Sequence, residues 1–557
     1  MRLTIMSLLF ALAAVPPAFA ATPPSDAEVA RHARALLEKA HPDATAPGSA
    51  VLVARGDEVL YRDARGAASI ELGVPLAPDQ VFRIGSITKQ FAAAAVLKLA
   101  EDGKLSLQDP LTRFVPGYPG GDKVTVLMLL NHTSGIRSYT DMPGVMDGPI
   151  QKTVSTAQLV ETFKNEKVDF APGDQWRYNN SGYVLVGAVI EAASGMSWHT
   201  YMRDTFFKPL GMQHTGFGDG TVAVVPGHVS GYTLADGKWA ASRYLSMTQP
   251  HAAGALVSTV GDLLVWNRAL HEGKVLQGKS YRQMITPVGK AVDTRYGFGI
   301  SHETFRGQQL LQHGGGIFGF NTYLMYLPAH DLSVAVLQNA DGMAPGGLGS
   351  ESLARMLGAY ALGRPYPEKK PVEVDAKVLK QYEGVYRIDK DSARAIRVVE
   401  GKLTSQRTGS QAYVLVPVAP NEFLFEEGFS RMRFVRDAAG AVNAMRFIND
   451  DEGEGDVVKR SDEPLPAERG AVAVDKAALE RLVGNYAHQG MRMTVALDGD
   501  KLTTQLAGQP AFEIFAETAT TFFLKVVEAT LEFTPGEAAA SSVTLRQGGQ
   551  TIEFKRE

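Results

Sequence analysis

Cysteine is absent from the 557 residues, so disulfide staples, thiol nucleophiles and cysteine-bound metals are excluded. Excess positive charge is missing too: 56 Lys and Arg face 60 Asp and Glu, a formal net charge of −4. That leaves no basic footprint for nucleic acid or an anionic membrane. The 12 histidines include no pair at metal-ligand spacing, so neither a metal nor another cofactor is expected. The acidic run Asp450-Asp451-Glu452-Gly453-Glu454-Gly455-Asp456 lacks the spacing of a calcium loop and reads as a solvated turn. After the N-terminus no apolar run is long enough to span a bilayer, so the mature chain should have no transmembrane segment.

The first twenty residues are different. Arg2, an apolar run from Leu3 to Val15, and Ala18-Phe19-Ala20 before Ala21 form a secretory signal over residues 1–20. Export without disulfides is consistent with a bacterial periplasm or exterior. The remaining length is too great for one core, so two or three domains are expected.

The chain is organised around Phe82-Arg83-Ile84-Gly85-Ser86-Ile87-Thr88-Lys89, which runs into an apolar stretch from Gln90 to Ala100. With a helix from Ile87 onward, Ser86 and Lys89 lie one turn apart on one face. The helix is apolar nearly all round and should be buried, with Gly103 as its stop. A serine hydroxyl needs a nearby base, and burial at a helix N-terminus disfavours the lysine's charged form. The same turn offers the Ser86 amide as half of an oxyanion hole. The competing reading is a surface serine beside a snorkelling lysine. Ser-x-x-Lys occurs only here in the chain.

Taken in order, Ala27 to Ala40 is an amphipathic helix, followed by a hairpin of Ala50–Ala54 and Val59–Tyr61. Val124 to Leu130 is a further apolar helix, and His132 just after it reads as a structural histidine bonding a backbone group. Tyr178 and Asn180 fall on a loop before the apolar helix Val184–Ala193. There they are either presented functional groups or a core aromatic and a cap. Ser258 or Thr259 caps a helix from Asp262 to Leu270. Tyr296–Ile300, Gln309–Gln312, Gly319–Leu327 and Leu332–Gln338 are expected strands. Among them His313-Gly314-Gly315-Gly316 places glycines where another backbone can approach. The Gly316 amide is a candidate second oxyanion donor, with His313 a hydrogen-bonding side chain beside it.

Gly363 to Pro371 is a Pro- and charge-rich linker, and beyond it the chain turns to short strands. An internal repeat appears at a shift of 100 residues: Val374-Asp375, Leu379, Gly384 and Tyr386 recur as Val474-Asp475, Leu479, Gly484 and Tyr486. Two small antiparallel barrels follow from that repeat, separated at Ser461–Gly470.

The order Ser86-x-x-Lys89, Tyr178-Asn179-Asn180, His313-Gly314-Gly315 resembles the three motifs of the serine β-lactamase and penicillin-binding protein superfamily. It is most similar to the class C β-lactamase, D,D-peptidase and esterase branch, and the resemblance covers about Pro47 to Asp341. It implies an α+β catalytic domain over residues 21–363, with a five-stranded antiparallel sheet flanked by helices plus an all-helical region. Two all-β barrels then occupy 372–461 and 471–557. It also implies roles. Ser86 becomes acylated, Lys89 and Tyr178 share the proton work, and Asn180 holds Lys89 and binds a substrate amide. The Ser86 and Gly316 amides bind the oxyanion, with His313 and Gly315 in the substrate-binding strand. Histidine in place of the family's usual third-motif lysine gives a weaker, pH-dependent hold on a substrate carboxylate. The function implied is therefore an acyl-enzyme serine hydrolase of small D-amino-acid peptides, amides or esters. A weak class C-type β-lactamase or D,D-carboxypeptidase is the nearest alternative, and a penicillin-binding sensor is the alternative of another class. The tail barrels are positioned in that picture to wall the cleft.

Overall fold

The two faces of one strand set the layers of the N-terminal unit. The computed structural model describes residues 23–557, apart from 143, 220–223, 236, 345, 427, 452, 467–469, 489–490, 507–510, 526 and 548–549. The expected signal sequence lies outside the described residues. Helix α1 (Asp26–Ala40) begins with a capping box between Ser25 and Glu28. Strands β1 (Ser49–Arg55) and β2 (Glu58–Arg65) form the hairpin. Then come α2 (Thr88–Glu101), α3 (Asn180–Ser194), β3 (Ser301–Phe305), β4 (Gln308–Ile317), β5 (Phe320–Leu327), β6 (Leu332–Gln338) and α4 (Ser350–Ala361). The sheet runs β3-β4-β5-β6-β1-β2, antiparallel throughout. It has six strands rather than five, because the short edge strand β3 extends it.

On β1, Ala50, Leu52 and Ala54 join one core with α2 and α3, whereas Val51 and Val53 join a second core with α1 and α4. Because both faces are covered, the strand is buried along almost its whole length rather than alternating with solvent. Helix α2 is apolar all round for the same reason: it is enclosed on all sides.

Tyr296–Ile300 is not a strand. The Gly297 amide bonds the Ile300 carbonyl at 2.8 Å and the Phe298 amide bonds the Met284 carbonyl at 2.8 Å, so the segment folds into a buried loop. Its period-2 apolar pattern reflects three inward side chains on a turn, and the loop carries Tyr296 to His313 and Tyr178.

The repeat becomes two closed eight-stranded antiparallel barrels, one spanning Gly384 to Ser461 and the other Gly484 to Arg556. Each follows a short helix, Ala376–Gln381 or Lys476–Glu480. The repeated tyrosines act alike: Tyr386 donates to the Tyr382 carbonyl at 2.8 Å and Tyr486 to the Leu482 carbonyl at 2.6 Å.

The first barrel docks behind the sheet. Arg355 on α4 donates to Glu303 at 2.8 Å and to Asp450 of the barrel at 2.6 Å, and the Tyr366 hydroxyl donates to Asp450 at 2.8 Å. Phe429 stacks on Tyr366 with ring centroids 3.9 Å apart. Asp450 is therefore a docking residue, a correction to the solvated-turn reading. Among the described residues no helix is long and apolar enough to cross a membrane.

Candidate active site

Ser86 sits in a single 3₁₀ turn (Gly85–Ile87) that leads directly into α2, placing Lys89 one turn on. The Lys89 Nζ lies 3.0 Å from Ser86 Oγ, 2.9 Å from Asn180 Oδ1 and 2.8 Å from the Ala253 carbonyl. All three neighbours are neutral, and Lys89 is 0 % exposed. Burial holds its pKa well below the ordinary lysine value. Once the amine is neutral it keeps two donors for Asn180 and Ala253, and its lone pair accepts from the Ser86 hydroxyl. The contact that restrains an ammonium thus becomes the contact that activates a nucleophile.

The serine turn is pressed against β4. Gly85 has φ +51°, and a Cβ there would lie 3.0 Å from the Gly316 nitrogen. A Cβ on Gly315 would lie 2.1 Å from the Ile84 carbonyl oxygen and 2.3 Å from Thr322 Oγ1. Glycine at 315 is therefore needed for backbone contact between turn and strand. At Gly316 the Cβ direction is open, and the residue lines the cleft.

Asn179 caps α3 by accepting from the Gly182 amide at 2.6 Å, so α3 starts four residues earlier than its apolar pattern suggests. Asn180 is the first helical residue. Its Oδ1 faces Lys89 and its Nδ2 donates to Thr140 Oγ1 at 3.1 Å, which fixes the amide orientation. The Tyr178 ring lies 4.7 Å from the Lys89 Nζ. Burial pushes the Tyr178 phenol pKa up, and the Ser86 hydroxyl beside it pulls the other way. Behind the phenol, the His132 ring packs 4.5 Å from the Tyr178 ring, and its Nδ1 accepts from the Asn179 amide at 3.1 Å. His132 is the backbone-bonding histidine expected, held neutral by burial and then by Lys89 and His313.

His313 departs from expectation. Its Nε2 lies 2.9 Å from the Tyr296 hydroxyl and its Nδ1 2.6 Å from the Gly314 carbonyl. A carbonyl only accepts, so Nδ1 carries the proton and Nε2 accepts from Tyr296. Both nitrogens are occupied, the ring does not line the cleft, and burial followed by Lys89 lowers its pKa to about 4. No ring nitrogen is left for a substrate carboxylate. His313 instead backs Tyr178, with ring centroids 6.2 Å apart.

The cleft is a 430 Å³ cavity reaching from Ser86, Asn180 and Gly316 to a wall of Tyr139, Met146, Ile150, Leu245, Ile317 and Phe320. Its lining ends at Asp341, so the barrels do not form this wall. Sequence patterns missed the Ala253 carbonyl, because backbone groups carry no residue signature. They missed Tyr296 because its segment looked extended. Thr140, inside a 3₁₀ turn (Tyr139–Asp141), had no motif to mark it.

The family profile described as Beta-lactamase matches residues 29–354, and one described as a domain of unknown function, DUF3471, matches residues 468–556. Penicillin-binding protein 4* of Bacillus subtilis is 24% identical over 524 residues, 91% of this chain and 94% of its own length. The D-aminopeptidase of Gluconobacter oxydans is 28% identical over 332 residues, 58% of this chain and 60% of that protein. A D-stereospecific amidohydrolase from Streptomyces sp. superposes with a TM-score of 0.52 at 28% identity, covering 59% of this chain and 97% of that one. The motifs, their meeting around Ser86 and a profile spanning more than half the chain agree: this protein belongs to the β-lactamase family and is a serine hydrolase with two C-terminal barrels.

Proposed function

We propose that the protein is an exported hydrolase that works through an acyl-enzyme on Ser86 and acts on small D-amino-acid amides, peptides or esters. The observation that carries the chemistry is the cage of neutral acceptors around Lys89. Ser86 Oγ attacks the carbonyl carbon while its proton passes to Lys89. The oxyanion is met by the Ser86 and Gly316 amides. As the carbon–nitrogen or carbon–oxygen bond breaks, Tyr178 relays a proton to the leaving group. Water then attacks the acyl-enzyme, giving up its proton by the same route, and Ser86 is restored with release of the acid.

Which side holds which half of the substrate follows from the lining. Tyr178 and His313 do not line the cavity, whereas Asn180 and Gly316 do. The phenol serves the leaving group, so the cavity takes the acyl part, and its mostly apolar wall suits an apolar side chain. With His313 neutral and turned away, the third motif offers no cation for a terminal carboxylate. That favours an amidase or esterase over a D,D-carboxypeptidase or β-lactamase. The D-stereospecific and D-aminopeptidase relatives support the choice of D-configured acyl groups. The test is turnover of p-nitrophenyl acetate, D-alanine p-nitroanilide and a chromogenic cephalosporin by wild type and Ser86→Ala. Ser86-dependent cleavage of the ester and anilide is expected. Unchanged rates in Ser86→Ala would overturn the reading, as would stable penicillin labelling with no turnover.

A further inference from the structure

Among the described residues lining the cavity one carries a charge, Asp341. It lies just past the end of β6, where no motif pointed to it. Its carboxylate is held from one side: Oδ2 accepts from the Gly319 amide at 2.7 Å and from Thr233 Oγ1 at 3.0 Å. Among the described residues Oδ1 accepts no hydrogen bond, and no Lys or Arg lies within ion-pairing distance of the carboxylate. The side chain is therefore fixed through one oxygen and open at the other. Two arginines approach the same aromatic wall, but over ring faces: Arg243 lies 4.7 Å from the Phe318 centroid and Arg83 5.8 Å from that of Phe320. Neither lines the cavity.

Asp341 also lies on the acyl side. The chain of β4 passes from His313, behind Tyr178, to Gly316 beside Ser86, and on to Gly319, whose amide holds Asp341. The carboxylate is thus at the end of the strand away from the phenol that serves the leaving group.

We infer that Asp341 is a specificity-determining residue that recognises an ammonium carried by the acyl portion of the substrate, an inference that rests on the acyl-enzyme reading above. The substrate class becomes acyl groups with an apolar body and a free amine, and acyl groups bearing a carboxylate are disfavoured at the same position. A charge-assisted hydrogen bond to a pre-positioned carboxylate supplies the discrimination.

The test uses two pairs of p-nitroanilides that differ only in the amine: D-phenylalanine against 3-phenylpropionate, and 6-aminohexanoate against hexanoate. In wild type, the amine-bearing member of at least one pair should be favoured about ten-fold in kcat/KM, equivalent to about 1.4 kcal/mol. Asp341→Asn keeps a carbonyl oxygen for Gly319 and Thr233 while removing the charge, and should bring that ratio close to one. Asp341→Glu should recover part of it. The ratio of two substrates on one sample does not depend on how much of the enzyme is folded. A preference that survives in Asp341→Asn overturns the inference, and so does Ser86-dependent turnover with no amine preference in wild type. Absence of Ser86-dependent turnover on every substrate would instead sink the hydrolase reading itself.

Discussion

Two of the cations that the N-terminal unit buries lie on opposite faces of its sheet, and it treats them in opposite ways. Lys89, in front, is surrounded by a hydroxyl, an amide oxygen and a backbone carbonyl. Arg355, behind, is surrounded by Glu303, Glu351 and Asp450. Burial lowers the Lys89 pKa with nothing to oppose it. Burial opposes the Arg355 charge as well, but Tyr323, Asp450 and Glu303 outweigh it and the pKa rises. Similar depth therefore gives a base at one site and a permanent cation at the other. The neighbours decide, and only the pair without carboxylates suits proton transfer.

The largest effect expected is on the front cation. Lys89→Arg keeps the charge but removes the capacity to lose it, so kcat on Ser86-dependent substrates should fall by about 10² to 10⁴. In wild type, activity should rise with pH as Lys89 deprotonates, in a window below the ordinary lysine range, and steady-state rates of the arginine variant should lack that acid limb. A near-wild-type rate would erase the contrast, since the front cation would then need no ionisation.

Methionine at each position sharpens the same contrast. Arg355→Met leaves the Glu303 and Asp450 carboxylates facing each other without their cation and should cost about 3 kcal/mol. It should leave kcat/KM alone, because among the described residues no barrel or α4 residue lines the cleft. Lys89→Met abolishes turnover but removes a group whose charged form was already disfavoured, so stability should stay within about 1 kcal/mol of wild type. Chemical denaturation of the two variants reads the difference directly. Equal losses would mean that the carboxylates contribute nothing particular behind the sheet.

Acid should weaken the N-terminal unit through its buried histidines. Burial, followed by Lys89, lowers the His313 pKa to about 4, and burial, followed by His199, lowers that of His251 to about 3. Between those values and the ordinary 6.5 the unfolded chain binds protons that the folded chain refuses. Stability is thus full above about pH 6.5 and falls as the pH drops toward 4, by about 3 kcal/mol for a shift the size of that at His313. Denaturation midpoints at pH 7 and pH 5 check this, and a flat profile would mean that these rings are not held neutral.

Local signals in the chain carried much of this. The Ser86 helix was legible because its apolar residues ran all round, and the barrels because Gly384 and Tyr386 return as Gly484 and Tyr486. The features that decide the chemistry were harder to see. The Ala253 carbonyl reaches Lys89 across 164 residues of sequence, and the Tyr296–His313 bond joins a loop whose pattern looked extended to the neighbouring strand. His313 looked like a substrate ligand because the pattern gives its position but not its hydrogen bonds. Asp450 looked solvated because Arg355, 95 residues away in sequence, is not in its neighbourhood until the barrel docks.

The smallest effect comes from carrying the comparison into the barrels. Gly384 pairs with Ile396 in the first and Gly484 with Val495 in the second, so Arg394 and Met493 occupy the same inward position. Met493 is packed in an apolar core. Arg394 has no carboxylate within ion-pairing distance among the described residues. It lies 4.1 Å from the Phe447 centroid and 5.7 Å from that of Phe425, and donates to Ser405 Oγ at 3.3 Å. Burial, with Arg407 adding to it, lowers its pKa to about 10. Here a half-buried cation has neither the carboxylates of Arg355 nor the freedom of Lys89 to ionise, and only ring faces and one hydroxyl offset its desolvation. A cation over an aromatic face contributes about 0.5–2 kcal/mol, which works against the cost of burying the charge. Arg394→Met, which copies the second barrel, should therefore change stability by less than about 1 kcal/mol in either direction. A thermal melt decides it: a loss as large as that from Arg355→Met would show that aromatic faces can hold a buried cation as firmly as carboxylates do.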